Sequence, residues 1–301
     1  MYEKKGKKPG KPEQQLTPLS ELGEFGLIHR LTKDIRHMQP STIKGVGDDA
    51  AVIDSGKDEA YLVSTDLLVE GIHFDMTYTP LKHLGYKAVV VNASDIAAMN
   101  GTPRQIMVSM VIPSRYSAEA LDEIYAGIKL ACDTYQIDLI GGDTSSSTSG
   151  LVISVTVIGT AVKEEIVYRK GANPGDLLCV TGDLGSAYIG LLLLEREKKV
   201  FQTNPGMQPE LTGFDYQIGR FLKPEARTDV RRLLEGIGVK PTSMIDISDG
   251  LASEILHLCK QSDVGCKIYE EKIPIDPQTR ELAMEFKLIP SVAVLSGGGA
   301  Q

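Results

Sequence analysis

One segment in the first half constrains the fold of this 301-residue chain more than any other. Residues 79–99 read TPLKHLGYKAVVVNASDIAAM, and this pattern predicts a helix that begins at a Thr-Pro pair. The next two residues, Asn100-Gly101, are typical of a left-handed helix end. The second half of the helix is apolar almost all round, so we expect it to be buried against another layer of structure.

The same helix carries two polar residues, Asn92 and Asp95, three positions apart and therefore on one face. A buried carboxylate is costly unless it meets a cation, a basic partner or several hydrogen-bond donors. Two interpretations stay open for Asp95. It holds a cation, or it forms a local cap or pairs with Arg104 or Lys87.

Strand-like and helix-like segments alternate along the chain, which favours an α+β fold in two layered domains. The boundary is predicted in a polar stretch at 160–175, giving an N-terminal metal- and ATP-binding domain at 21–163 and a C-terminal domain at 168–301. Residues 1–20 are expected to be a disordered basic tail. The predicted strands are 50–53, 60–64, 105–112, 137–140, 151–158, 177–181, 244–247 and 291–295, and the predicted helices are 80–99, 117–135, 186–195, 225–235 and 251–260.

Charge and composition exclude several classes of partner. The 32 basic and 40 acidic residues give a net charge of −8, which argues against nucleic acid or an anionic membrane as the main partner. No apolar run of about 18 residues could span a bilayer, and the basic N-terminus lacks the apolar core of a signal peptide. The four cysteines are scattered without a C-x-x-C pair, so we expect free thiols in the reducing cytoplasm.

Aspartates lie beside four of the predicted strands: Asp48 and Asp49 in GVGDDAA, Asp66 in STDLLVEG, Asp143 in GGDTSSS and Asp246 in IDISDG. Each motif alone reads equally as an ordinary turn, because Asp and Gly are common turn residues. Together they indicate a ligand site, since loops at strand ends gather ligands in α/β layers.

Oxygen ligands of this kind suit magnesium, and the scarcity of His and Cys in these loops speaks against zinc, copper or iron. The run GGDTSSSTSG adds backbone N–H groups and hydroxyls of the sort that bind anions. Neither a lysine-bearing phosphate loop nor a dinucleotide-binding G-x-G-x-x-G motif is present. The pattern therefore favours phosphates held through metal ions. Arg169 is predicted either to reach phosphates or to form a structural ion pair, and His73 either to contact substrate or to be structural.

Several blocks in a fixed order resemble a known family. GEFGLI, GVGDDAA, STDLLVEGIHF, YKAVVVNASDIAAMNGTP, LIGGDTSSS, RKGANPGD, VTGDLGSA and IDISDGL extend from residue 23 to about 255 and closely resemble thiamine-monophosphate kinases. The resemblance implies two α+β domains of the aminoimidazole ribonucleotide synthetase type and a homodimer whose N-terminal sheets pair across the two-fold axis. It also implies transfer of the γ-phosphoryl group of ATP to thiamine monophosphate, giving thiamine diphosphate.

The same motifs imply the roles of individual residues. The implied ligands of several Mg²⁺ ions are Asp49, Ser64, Thr65, Asp66, Asp95, Asp143, Asp246 and Asp249. The implied ATP contacts are Gly142, Asp143, Arg169 and Ser248, and the implied substrate contact is His73. The acceptor is a phosphate monoester whose oxygen is already anionic, so we expect direct in-line transfer with metal assistance, without a general base or a phosphoenzyme.

The sequence departs from the family at three places. Asn100 replaces a usual Gly and Glu254 a usual Asp, and both changes are expected to be tolerated. The third departure is the end, LSGGGAQ, where the family continues Gly-Gly-Glu-Asp-Tyr-Glu-Leu and its Glu contacts the substrate. Here Gly299, Ala300 and Gln301 stand in those places, so we expect a truncated C-terminal domain with reduced activity or stability.

Other functions stay open beside the kinase. Within the superfamily, a selenophosphate synthetase would need a reactive Cys near the N-terminus, but the first Cys is Cys132. The hydrogenase-maturation relative ends in Cys, whereas this chain ends in Gln301. VEGIHF and NASDIAAMNG favour the kinase over aminoimidazole ribonucleotide synthetase. A non-catalytic nucleotide-binding protein is the alternative from a different class, and residues 199–215 are either a lid over the thiamine site or a slack loop.

Overall fold

A computed structural model of the protein describes residues 16–296. The chain forms two compact units, with the boundary between Met38 and Gln39. In the first unit, helix α1 (Leu19–Thr32) is interrupted at Gly23, where φ is 62° and ψ is 178°, and none of its residues is buried. The predicted tail at 1–20 lies outside the described residues up to residue 15.

A six-stranded sheet forms the first part of the second unit. Its strands are β1 (Thr42–Lys44), β2 (Ala51–Asp54), β3 (Glu59–Val69), β4 (Thr102–Pro113), β5 (Asp138–Ser147) and β6 (Val152–Val162). The spatial order is β1-β2-β3-β6-β4-β5. All neighbouring pairs are antiparallel except β4 and β5, which run parallel. Strands β1 and β5 are the two edges of the sheet.

Two long helices, α2 (Leu81–Ala98) and α3 (Ala118–Tyr135), pack with the sheet around the main apolar core. They approach each other closely at two glycines. A Cβ added to Gly85 would lie 1.9 Å from Ile124 O, and one added to Gly127 would lie 1.9 Å from Lys82 O. Only glycine fits at such a crossing, because any side chain would push the helices apart.

The predicted buried helix is confirmed. In α2, residues 88–94 are all buried, including Asn92 at 1% exposure. Beyond its end Asn100 adopts a left-handed conformation with φ of 60°, which explains why Asn stands where a Gly is usual. The predicted cap of α3 is also confirmed, since Ser117 Oγ accepts a hydrogen bond from Ala120 N at 3.3 Å.

The C-terminal part of the second unit is built from helices α4 (Ser186–Thr203), α5 (Asp215–Leu222), α6 (Asp229–Gly236), α7 (Leu251–Ser262), α8 (Pro277–Glu285) and α9 (Pro290–Ser296). Two small apolar clusters hold them together. One contains Leu184, Leu251, Ile255, Ile273 and Val294, and the other contains Ile189, Leu193, Leu282 and Ala283. Within residues 16–296, no helix has the length and apolar character that crossing a bilayer requires.

Three predicted C-terminal strands are wrong. Residues 177–181 and 244–247 pair in no sheet of the described chain, and residues 291–295 lie in α9. The first run is also not buried, since Leu177 is 88% exposed. Short apolar runs do not distinguish a strand from a helix segment, and a strand forms only where a neighbour accepts its backbone hydrogen bonds. The expected end of the chain at Gly299, Ala300 and Gln301 lies outside the described residues.

Candidate metal centre

Three aspartates from distant parts of the second unit meet at one point. Asp49 lies in the turn before β2, Asp95 on α2 and Asp246 in the loop before α7. One carboxylate oxygen from each lies within 4.8 Å of the others. The buried helix therefore carries its carboxylate into a shared acidic centre, and the alternative of a local cap or a pair with Arg104 or Lys87 is not what the fold provides.

Strand β3 adds two more oxygen groups from its helix-facing side. Side chains alternate along a strand, so Ser64 and Asp66 share a face with the buried Leu62 and Leu68. Ser64 Oγ donates to Asp95 Oδ2 at 2.5 Å, and Asp66 N donates to Asn92 Oδ1 at 3.2 Å. The strand is thus joined to α2 at the level of the acidic centre.

The electrostatics of this centre are unbalanced. Burial, together with the nearby charge of Asp246, raises the pKa of Asp49 to about 7 and that of Asp66 to about 6. Burial and the charges of Asp246 and Asp66 raise the pKa of Asp95 well above its usual range, and burial raises that of Asp246. Four neighbouring carboxylates with raised pKa values form a site that a divalent cation would stabilise.

Arg169 is the cation that the chain itself brings to the centre. Its Nε donates to Asp49 Oδ1 at 3.0 Å and its Nη2 donates to the same oxygen. The main-chain N of Arg169 donates to Asp48 Oδ1 at 3.0 Å. One guanidinium does not neutralise the centre, because the pKa of Asp49 stays raised by burial and by Asp246 despite it.

Three residues that the sequence analysis did not assign hold the site in shape. Ser94 Oγ donates to Asp246 Oδ2 at 2.9 Å, and Asn92 holds β3. The carboxylate of Glu254 accepts from Asp249 N at 2.9 Å and Gly250 N at 3.1 Å, closing the loop that carries Asp246 onto the start of α7. Glu254 lies four residues after the N-cap Gly250, one position beyond the capping-box spacing, so no clear sequence signal marks this contact. Ser94 gave none, since Ser inside a helix is unremarkable.

Thr65, Gly142 and Asp143 are not brought to the centre. Asp66 and Asp143 were expected in loops at strand ends, but both lie inside strands. Thr65 faces the opposite side of the sheet, where its hydroxyl donates to Val155 O at 3.1 Å. Asp143 lies on the edge strand β5, opposite Ser109 of β4. Strand β5 is three strands away from β3 in the sheet, a distance of about 14 Å.

The other predicted residues lie in two loops. One follows Asp246, and the other follows β3. Ser248 and Asp249 are exposed in the loop that follows Asp246. His73 is exposed in the turn after β3, where its Nδ1 accepts from Val69 N at 3.0 Å. Two residues on, Asp75 Oδ2 accepts from Lys198 Nζ of α4 at 2.6 Å, which fixes this turn to the C-terminal part.

Comparison with known proteins identifies the family. The AIR synthase related protein family matches with its N-terminal domain over residues 47–161 and with its C-terminal domain over residues 173–294. Thiamine-monophosphate kinase of Bacillus subtilis is 39% identical over 266 residues, covering 88% of this chain and 79% of that protein. This chain belongs to the thiamine-monophosphate kinase family.

Other members of the thiamine-monophosphate kinase family agree in sequence and fold. The Aquifex aeolicus kinase is 34% identical and covers 93% of this chain and 84% of its own length. The structure of AaThiL complexed with AMPPCP and TMP aligns with a TM-score of 0.80 and 31% identity, over 95% of this chain and 85% of that one. Hydrogenase maturation protein HypE in complex with ATP, at 20% identity and a TM-score of 0.62, shares the fold.

Proposed function

We propose that this protein transfers the γ-phosphoryl group of ATP to thiamine monophosphate, giving thiamine diphosphate and ADP. Its relatives from Bacillus subtilis and Aquifex aeolicus carry the name of that kinase, and AaThiL is complexed with AMPPCP and TMP. The observation in the chain itself that carries the proposal is the meeting of Asp49, Asp95 and Asp246 within 4.8 Å. A centre of buried carboxylates has no use in an ordinary core.

Magnesium is the proposed occupant of this centre. Asp49, Asp66, Asp95 and Asp246 would hold it, since hard oxygen ligands fit this ion and their raised pKa values mark an uncompensated negative site. Ser64 and Asp249 are further ligands that the family motifs propose for this centre. The same motifs propose Thr65 and Asp143, but the Thr65 hydroxyl lies on the opposite face of the sheet and Asp143 lies on the edge strand β5. When bound, magnesium neutralises phosphate charge and orients the nucleotide.

The residues of the chain then bind and align two anions. Arg169 would contact ATP, along with Gly142, Asp143 and Ser248, and His73 would contact thiamine monophosphate. Because the acceptor oxygen is already anionic, no side chain is needed as a general base. We infer direct in-line transfer, in which the acceptor oxygen bonds to the γ-phosphorus while the bond to the β,γ-bridging oxygen breaks and ADP leaves.

A homodimer in the cytoplasm is the proposed working form, with an N-terminal domain at 21–163 and a C-terminal domain at 168–301. Strand β5 supports the dimer, because it is an edge strand exposed along almost its whole length. Uncovered edges of this kind pair with another chain. Free cysteines among the described residues, Cys132, Cys179, Cys259 and Cys266, fit a reducing compartment.

The experiment that tests the function is formation of thiamine diphosphate from thiamine monophosphate and ATP, with magnesium or with EDTA, beside calorimetry of ATP binding. Magnesium-dependent product is the expected result. Tight ATP binding with no product would instead favour a non-catalytic nucleotide-binding protein. Turnover of ATP on a different acceptor would favour a related synthetase of the superfamily. Absence of ATP binding would show that the acidic centre has another role.

A further inference from the structure

Asp48 and Asp49 are neighbours in the chain, yet they hold opposite ends of the same arginine. Asp49 accepts from the guanidinium of Arg169, whereas Asp48 Oδ1 accepts from the main-chain N of Arg169 at 3.0 Å. The side chain of Asp48 is fully buried, and its other oxygen, Oδ2, accepts no hydrogen bond from the residues that the structure describes, although Lys44 Nζ lies 3.7 Å away. A buried carboxylate with so little support does not serve local stability well.

The carbonyl side of Arg169 is held as firmly as its N–H. Ser243 Oγ donates to Arg169 O at 2.7 Å, and Ser262 Oγ, at the end of α7, lies 3.4 Å from the same oxygen. Ser262 Oγ also accepts from Gly171 N and Ala172 N, both at 3.1 Å. The main chain around Arg169 is therefore fixed by residues from three separate segments.

The segment also lies directly against residues 242–244. Gly171 has φ of 144°, and a Cβ added there would lie 2.1 Å from Thr242 O. One residue before the arginine, Tyr168 O accepts from Met244 N at 3.1 Å. A position this closely packed and hydrogen-bonded sets where the Cα of Arg169 lies, and hence which groups its guanidinium reaches.

We propose that Asp48 is a positioning residue for the nucleotide, acting with Ser243 and Ser262 to fix the main chain of Arg169 so that its guanidinium is aimed at the phosphates. This inference rests on the proposed function, because it takes ATP as the ligand of Arg169. A main chain of Arg169 that is already fixed before ATP binds does not have to be ordered on binding, which lowers the entropy cost of the phosphate contact. The mechanism requires Asp48 to act through Arg169 and not by touching ATP.

The test is a double-mutant cycle with Asp48→Ala, Arg169→Ala and the pair, read as KM for ATP, KM for thiamine monophosphate and Tm. Asp48→Ala is expected to raise KM for ATP about tenfold, the scale of one strong hydrogen bond, with KM for thiamine monophosphate unchanged. In the Arg169→Ala background the same change is expected to add nothing. Asp48→Asn, which keeps an acceptor of the same shape, should recover most of the affinity.

The matched control is Asp54→Ala. Asp54 also accepts from one main-chain N–H, that of Gly56 at 2.8 Å, and pairs with one lysine, Lys163 at 2.5 Å, but it makes no contact with Arg169. It should leave both KM values unchanged. A second probe, Ser243→Ala, removes a hydrogen bond from the carbonyl side and is expected to raise KM for ATP about threefold.

Three outcomes would overturn the inference. They are equal rises in both KM values, a full effect of Asp48→Ala in the Arg169→Ala background, and a raised magnesium requirement at unchanged KM for ATP. Failure of the proposed function is distinct from these, because it would appear in the wild-type protein as the absence of thiamine diphosphate.

Discussion

Two clusters of charged and polar groups contact helix α2, one through Asp95 and the other through Tyr86, and the pKa values of their carboxylates shift in opposite directions. In the acidic centre, burial and like charges raise the pKa of Asp49 to about 7 and that of Asp66 to about 6. At Glu225, burial alone would raise the pKa, but hydrogen bonds from the hydroxyls of Tyr135 and Tyr86 and from Lys223 outweigh it and the pKa is lowered.

The difference lies in what surrounds each carboxylate. Glu225 Oε2 accepts from Tyr86 and Tyr135, both at 2.6 Å, and Oε1 accepts from Lys223 at 2.9 Å. All its partners come from within the chain, as expected of a group whose task is to hold elements together. The acidic centre has one arginine for four carboxylates, so its balance depends on a ligand from outside the chain.

Replacing one carboxylate by an amide in each cluster should separate the two roles by the largest margin. Asp95→Asn is expected to lower kcat at least about 100-fold, because a ligand of the proposed metal is weakened, while Tm without magnesium holds or rises as like-charge repulsion is relieved. Glu225→Gln should do the reverse, with kcat within about threefold and a loss of roughly 2 kcal/mol in the free energy of unfolding. The measurements are steady-state kinetics and thermal unfolding of both variants. Equal losses of activity would contradict the assignment of a functional role to one cluster and a structural role to the other.

The pH dependence of stability should also have opposite signs in the two clusters. Asp49 and Asp66 keep their protons in the folded state up to pH about 7 and 6, whereas the unfolded chain releases them near pH 4. The folded state binds more protons in that window, so the free energy of unfolding falls as pH rises from about 4 to 7. For Glu225, whose pKa is lowered, the stabilising contribution is present at neutral pH and is lost only on acidification below the unfolded pKa.

Denaturant unfolding between pH 4 and 8 in EDTA measures this dependence. Magnesium should remove the decline toward neutral pH, since metal ions bind the deprotonated carboxylates. A flat profile in EDTA would mean that the centre is already compensated within the chain. Asp95→Asn should make the decline shallower, which places its origin in the acidic centre.

The acidic centre could be predicted from the sequence because the pattern of α2 indicates both a buried helix and a carboxylate within it. An apolar helix with Asp95 on one face required both burial of the helix and a partner for the carboxylate. The helix is buried, and Asp95 meets Asp49 and Asp246 in the acidic centre and accepts a hydrogen bond from Ser64. Glu225 had no such signal, since its tyrosine partners lie 90 and 139 positions away in sequence. Contacts of this range follow from packing and cannot be read from local periodicity.

Prediction was weakest where one sequence pattern is compatible with two structures. The apolar run at 291–295 satisfies a strand or a helix, and the fold places it in α9. The motif STD around Asp66 names three adjacent candidate ligands, but neighbouring residues of a strand point to opposite faces. The hydrogen bonds of Ser64 to Asp95 and of Thr65 to Val155 show which of them face α2.

That alternation supplies the smallest and most local test. Thr65 faces away from the acidic centre, and its hydroxyl donates to Val155 O at 3.1 Å. Thr65→Val keeps the shape of the side chain, so we expect a cost of about 1 kcal/mol or less and an unchanged magnesium requirement. Ser64→Ala, one position earlier, removes the 2.5 Å hydrogen bond to Asp95 Oδ2 and should raise the magnesium concentration for half-maximal activity several-fold. Equal shifts in the two variants would mean that the Thr65 hydroxyl reaches the metal after all, and that β3 presents both of its faces to the centre in the working enzyme.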